Sequence, residues 1–274
     1  MGIYEKALEI QTQVDQIKTN LKLDAATPLS EVVTTTASGG GKLAPKFISF
    51  AYGPKDLDIS EEIASIDTSN ITDMSEMFYM CYSITDLTLN TFNTSNVTNM
   101  YGMFTGASYL TYLDLNSLDT SNVTDIRSMF SSCTGLKTLK VGDLDISKVK
   151  SFYQLFNQCS ALSSFDANKW DVSHVTNFQA TFYGCKGFTE LDLSNWHTTS
   201  ATTMQQMFYN VPATTTKIDI RNFDFTNVQG YSSMFGSNSK DTLIIVKGET
   251  EKQWLTSKFT NLTNVKTVAE YEAS

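Results

Sequence analysis

The chain has 274 residues, enough for one large domain or for a domain with an appendage. Its 20 basic and 29 acidic residues give a formal charge of −9 and a pI near 4.7, a balance that repels phosphate backbones and argues against nucleic-acid binding. No apolar run reaches the roughly 18 residues of a membrane span. The opening Met1-Gly2-Ile3-Tyr4-Glu5-Lys6 matches neither a secretory leader nor an N-myristoylation motif, so neither export by that route nor membrane insertion is expected.

The first element is a helix within residues 1–33. Ile3, Ala7, Ile10, Val14, Ile17 and Leu21 follow one another at spacings of 4, 3, 4, 3 and 4, a heptad seam between polar faces. With Ala7, Val14 and Leu21 at a, and Ile3, Ile10 and Ile17 at d, the seam favours three or four strands over two. A rod of about 28 Å is marginal alone in water. It is expected to join copies of the chain, a homotrimer in the first place, or to anchor it. The alternative is one helix packed on the rest of its own chain or on another protein. Pro28 ends the helix. Residues 34–42, with Gly39-Gly40-Gly41, form a flexible tether. Next come two cap strands, Phe47–Tyr52 and Leu57–Ile59, turned by Gly53-Pro54.

A dipeptide then recurs: Met77-Phe78, Met103-Phe104, Met129-Phe130, Leu155-Phe156, Thr181-Phe182, Met207-Phe208 and Met234-Phe235. The phenylalanines are 26 residues apart five times and 27 once. Seven units of about 26 residues mean a solenoid over 43–246. In the third unit Asp119-Thr120-Ser121-Asn122 is turn chemistry. Val123, Ile126, Met129 and Phe130 make the apolar stripe of a short helix, and Leu139/Val141 alternate as a strand. The expected class is therefore α/β, with one short helix and one strand per unit and the strands in a parallel sheet. Leu118, Leu144, Trp170 and Trp196 form a second inward column. The extra residue of the sixth unit, near Pro212 and Thr214–Thr216, should bulge from a loop. Residues 247–274 should close the end, with a helix over Glu249–Phe259 that turns Trp254, Leu255 and Phe259 inward.

Repeat columns also decide which constellations carry chemistry. Cys81, Cys133, Cys159 and Cys185 share a column with Ala107 and Val211, so a small buried apolar site is expected rather than zinc or disulfides. Asp67, Asp119, Asp145, Asp171 and Asp224, interrupted by Asn93 and His197, suit turn hydrogen bonds better than calcium, which needs six or more oxygens at one point. His174 and His197 lie in turn columns with no nucleophile beside them. No metal, cofactor or catalytic residue is assigned, and no enzyme is expected. The outward strand positions form an acidic, amide-rich candidate binding strip: Asp86, Thr88, Asn90, Tyr112, Asp114, Asn116, Lys140, Asp166, Asn168, Glu190 and Asp192.

Units such as Leu113-Asp114-Leu115…Leu118-Asp119-Thr120-Ser121-Asn122-Val123-Thr124-Asp125…Met129-Phe130…Cys133 resemble the BspA-type leucine-rich repeats of bacterial surface proteins, a variety also found in mycoplasma and Listeria lipoproteins and in some phage proteins. The resemblance spans roughly residues 57 to 246, with Lys148, His174 and Ser200 replacing the turn Asn in units four to six. It implies a curved solenoid used for binding, without naming a ligand. Combined with the heptad helix and glycine hinge, it suggests a bacteriophage virion protein: a head fibre, decoration or tail appendage. Such a protein would dock on other virion proteins through its N-terminal helix and present its repeats on the virion surface to a host glycan or protein. A bacterial cell-surface adhesin or an intracellular adaptor is the alternative.

Overall fold

The leucine-centred triplets of the repeat each form one short strand. A computed structural model describes residues 68–274 apart from 83, 213 and 237–240. Strands β1 (Asp86–Thr88), β2 (Tyr112–Asp114), β3 (Thr138–Lys140) and β4 (Ser164–Phe165) make one parallel sheet in that order. A second contains β5 (Glu190–Asp192), β6 (Lys217–Asp219), β7 (Leu243–Val246) and β8 (Val265–Thr267). Leu87 pairs with Leu113, and Leu113 with Leu139, in strict one-repeat register. The result is a parallel-sheet solenoid of about six turns. The sheets part after β4, where the strand is two residues long and a 3-10 turn (Ala167–Lys169) takes its place.

The Met-Phe segment is buried as its apolar spacing predicts, but it is not a helix. In the third coil Met129, Ser131 and Cys133 donate to carbonyls three residues back, while Ser128, Phe130 and Ser132 donate across to Tyr153, Leu155 and Asn157 of the next coil. The backbone is a ribbon of tight turns whose alternate N–H groups pair between coils. Ser128 and Ser132 take φ of 57° and 59°, and the same two columns are left-handed in other coils, at Gly102 and Gly106 among them. The reason is dimensional. An α-helix is about 10 Å across, whereas paired strands repeat every 4.8 Å or so. Turns stack at nearly the strand spacing.

The core shows that spacing directly. Phe78, Phe104, Phe130, Phe156, Phe182 and Phe208 form one column, with consecutive ring centroids 5.4, 5.8, 5.7, 5.4 and 6.0 Å apart. Leu118, Leu144, Trp170 and Trp196 are buried beside it. The indole N–H groups of Trp170 and Trp196 donate to the Val141 and Ala167 carbonyls at 2.8 and 3.0 Å, so each large ring is buried without an orphaned donor. The extra residue of the sixth unit is absorbed between Phe208 and β6. There Thr214 is exposed while Thr215 stays buried, its hydroxyl on the Phe188 carbonyl at 2.7 Å.

Beyond β7, helix α1 (Glu249–Lys258) lies over the last coil with Leu255 and Phe259 buried. Trp254 is half-buried and stacks on Phe225 at 4.4 Å. Strand β8 extends the sheet beside β7, and Lys252 of α1 grips Glu270 of the closing helix α2 (Val268–Glu272) at 2.6 Å. The expected N-terminal helix, tether and cap strands lie outside the described residues.

Candidate binding site on the sheet face

The outward side chains of β1 and β2 surround an open concavity of about 530 Å³. Asp86, Thr88 and Asn90 line one side; Tyr112, Asp114 and Asn116 line the other. Six of the eleven strip residues are thus brought together. The Tyr112 ring is 41 % exposed and supplies a flat apolar face. Its hydroxyl donates to Asp114 at 3.2 Å, and the Lys140 ammonium stands 5.9 Å from its centroid and 3.8 Å from Asp114. That company holds the Lys140 ammonium above its usual pKa, the tyrosine hydroxyl being the main cause. Asp114 also accepts the Asn116 N–H at 3.1 Å, which fixes the carboxylate. An aromatic plate ringed by carboxylates and amides suits a ligand with hydroxyl groups and a C–H face.

Asp166, Glu190 and Asp192 do not join this site. Asp166 turns back to accept the Val141 N–H at 2.6 Å, bridging coils where β4 is short. Glu190 pairs with Lys217, and Asp192 accepts the Ser194 N–H at 2.9 Å; both belong to the second sheet. The side chain of Asn168 lies outside the described residues, as do Ile3, Ala7, Ile10, Val14, Ile17 and Leu21.

The polar columns have structural partners. Asp119, Asp145 and Asp171 each accept the N–H two residues on, at 2.9 to 3.0 Å, and hydrogen bonds from the neighbouring serines hold all three carboxyls below the usual range. Asn96 and Asn122 donate their amides to serine carbonyls of the preceding coil at 2.8 Å. His174, in the same column, faces the Ile146 carbonyl at 2.9 Å, so its Nε2 carries the proton. The thiols of Cys133, Cys159 and Cys185 each donate to a phenylalanine carbonyl of the preceding coil at 3.0 Å. Burial pushes Cys133 up to about 12 and raises the other two as well, which removes the thiolate that nucleophilic or metal chemistry would need.

A second concavity, of about 670 Å³, lies over the turn ribbon around Ser151. It lies off the strand face, because its residues belong to a separate ladder, bridged from Ser151 to Asn177 to Thr203. The sequence does carry a signal: Lys150 and Ser151 interrupt two columns that are Thr and Asp/Asn in the coils on either side.

A family model described as a mycoplasma protein of unknown function, DUF285, matches residues 48–166 and 136–247. The chain belongs to that family. Together with the solenoid, this makes it a BspA-type repeat protein. No curated protein matches the chain. Among the described residues no helix is long and apolar enough to cross a membrane.

Proposed function

We propose that this DUF285-family chain is a non-catalytic recognition protein that works by presenting its repeats to a surface glycan or protein. The observation that carries the reading is the β1–β2 concavity, where an exposed tyrosine ring sits among Asp86, Asn90 and Asn116. The finer reading is seven units carried on an oligomeric N-terminal rod as a bacteriophage virion appendage. It draws on the heptad seam Ile3–Leu21 and the hinge Gly39-Gly40-Gly41. Several copies on one rod would let weak contacts add by avidity. A second reading, a bacterial cell-surface adhesin, draws on the resemblance of the repeats to BspA-type surface proteins.

Two measurements test this. The full chain should bind host envelope polysaccharide or protein, and Tyr112→Ala should weaken binding at least tenfold; an unchanged affinity removes the concavity from the reading. Mass in solution should show an oligomer for the full chain and a monomer for residues 43–274; two monomers would end the oligomeric rod. Mass spectrometry of purified virions against bacterial envelopes separates the two locations.

A further inference from the structure

The surface around Ser151 is a grid of three columns crossing three coils. Ser151 is its centre and its shortest side chain, between Asp125 and Asn177 in one column. Arg127, Tyr153 and Gln179 form one wall, and Lys150 stands on the other. Two coil steps span about 10 Å, the length of one or two sugar rings.

The column partners show what this coil has given up. At the wall position of Lys150, Thr98, Thr124, Thr176 and Thr202 each donate a hydroxyl to the preceding coil, at 3.2, 3.1, 3.1 and 3.1 Å respectively. Lys150 makes no such bond and places an ammonium there instead. At the floor position, Asn99, Asp125 and Asn177 each accept the N–H two residues on, at 2.9, 3.0 and 2.8 Å. Ser151 keeps that turn with a shorter side chain, its Oγ 3.3 Å from the Tyr153 nitrogen. Two departures from the repeat at adjacent positions thus open a notch and add a cation to its rim, in a chain of net charge −9.

The rest of the wall is organised for polar contact. Asp125 holds Arg127 through Nε at 2.9 Å and Nη2 at 2.6 Å, and the guanidinium lies 5.6 Å from the Tyr101 ring. Its orientation is therefore fixed, with Nη1 turned away from the carboxylate fork. Tyr153 offers a half-buried ring, and Asn177 and Gln179 offer side-chain amides.

We propose that this notch binds an acidic sugar unit, one bearing a carboxylate or phosphate. The acid group meets Lys150 and the outer edge of Arg127. The sugar's C–H face lies on Tyr153, and its hydroxyls meet the amides of Asn177 and Gln179. Asp125 disfavours a densely charged polyanion and favours one acid per unit among hydroxyls. The inference rests on the recognition reading above and places a second specificity on a different ladder from Tyr112.

The test uses the full chain, titrated with uronic-acid disaccharides, their neutral counterparts and a sugar phosphate. The fold's own columns supply the variants: Lys150→Thr and Ser151→Asn restore the residues found in neighbouring coils, so both should keep the solenoid intact. At least one acidic ligand should bind ten times more tightly than its neutral counterpart, and each variant should lose at least tenfold without a fall in melting temperature. Preference for the carboxylate or the phosphate identifies the acid. Equal affinity for acidic and neutral sugars, no binding to either acid, or undiminished affinity in both variants overturns the proposal. Envelope binding that Tyr112→Ala abolishes and Lys150→Thr spares would sink the notch and leave the recognition reading standing.

Discussion

One threonine column predicts opposite signs for the same substitution in different coils. Thr68, Thr94, Thr120 and Thr198 are buried at equivalent positions, with Ile146 and Val172 between the last two. Thr68 and Thr94 donate to the Asn93 and Asp119 carbonyls at 3.0 and 2.8 Å. Thr198 donates to the Asp224 carbonyl at 3.3 Å and accepts the Asp224 N–H at 2.9 Å. The Thr120 hydroxyl is buried without a partner, alone in this among the described side-chain oxygens and nitrogens. An orphaned polar group costs about 1–3 kcal/mol, and valine has nearly the shape of threonine. Thr120→Val should therefore stabilise the fold by about 1 kcal/mol, worth roughly 2–4 °C in a chain of this size. Thr198→Val should destabilise by about 1–3 kcal/mol, because it leaves the Asp224 N–H unpaired. Guanidinium unfolding of the full chain, followed by tryptophan fluorescence and far-UV circular dichroism, measures both midpoints at comparable slope. A Thr120→Val midpoint as low as that of Thr198→Val would mean that Thr120 has a partner after all, and would refute the argument.

Three further outcomes follow from the packing. Gly106→Ala should cost more than about 1–2 kcal/mol by thermal melting, since φ is +76° and the new methyl meets Met80 at 3.0 Å; Gly184→Ala, with its nearest neighbour at 3.4 Å, should cost less, and equal losses would contradict the spacing of the turn ribbon. Cys133, Cys159 and Cys185 should resist a thiol reagent at pH 8 until the chain is unfolded. Their raised pKa contributes stability that is complete below the unfolded value of about 8.5 and is lost as the pH climbs through the folded ones, about 12 for Cys133, so a flat urea midpoint between pH 8 and 11 would count against it. Asp219 is buried and held by Arg221 Nε and Nη2 at 3.0 and 2.7 Å; Arg221→Gln should cost about 1.5–3 kcal/mol in urea, and a loss below 0.5 kcal/mol, the scale of an exposed pair, would show that the carboxylate is reached by solvent.

The columns were legible because a solenoid writes its contacts into its period. Phe104 and Phe130 can be paired from the sequence alone, as can Leu113 and Leu139, since the residue one repeat away is the residue one coil away. What the spacing could not settle was the backbone between them. Val123, Ile126, Met129 and Phe130 put their side chains inward on a short helix or on a ribbon of three-residue turns alike. The difference lies in where the N–H groups go, and no single unit contains that information because half the bonds belong to the next coil. Gly102 and Gly106, four apart in left-handed columns, are the trace that the turns left in the sequence; Ser128 and Ser132 occupy the same columns and hide it.

Columns also separate structural polar residues from functional ones. A residue that matches its column is accounted for by the coil below it: the Thr124 hydroxyl lies on the Thr98 carbonyl, and the Asn122 amide on the Ser95 carbonyl. Such positions tell little about a ligand, however exposed they are. Asp166 illustrates this, an outward-facing acid by sequence whose carboxylate is committed to the Val141 N–H. Lys150 abandons a hydroxyl bond made at the equivalent position in four other coils, and Ser151 shortens a side chain whose turn needs only one oxygen. Neither change is demanded by stacking. In a molecule whose core repeats almost without variation, departures that the neighbouring coils do not require mark the surface that something else has shaped.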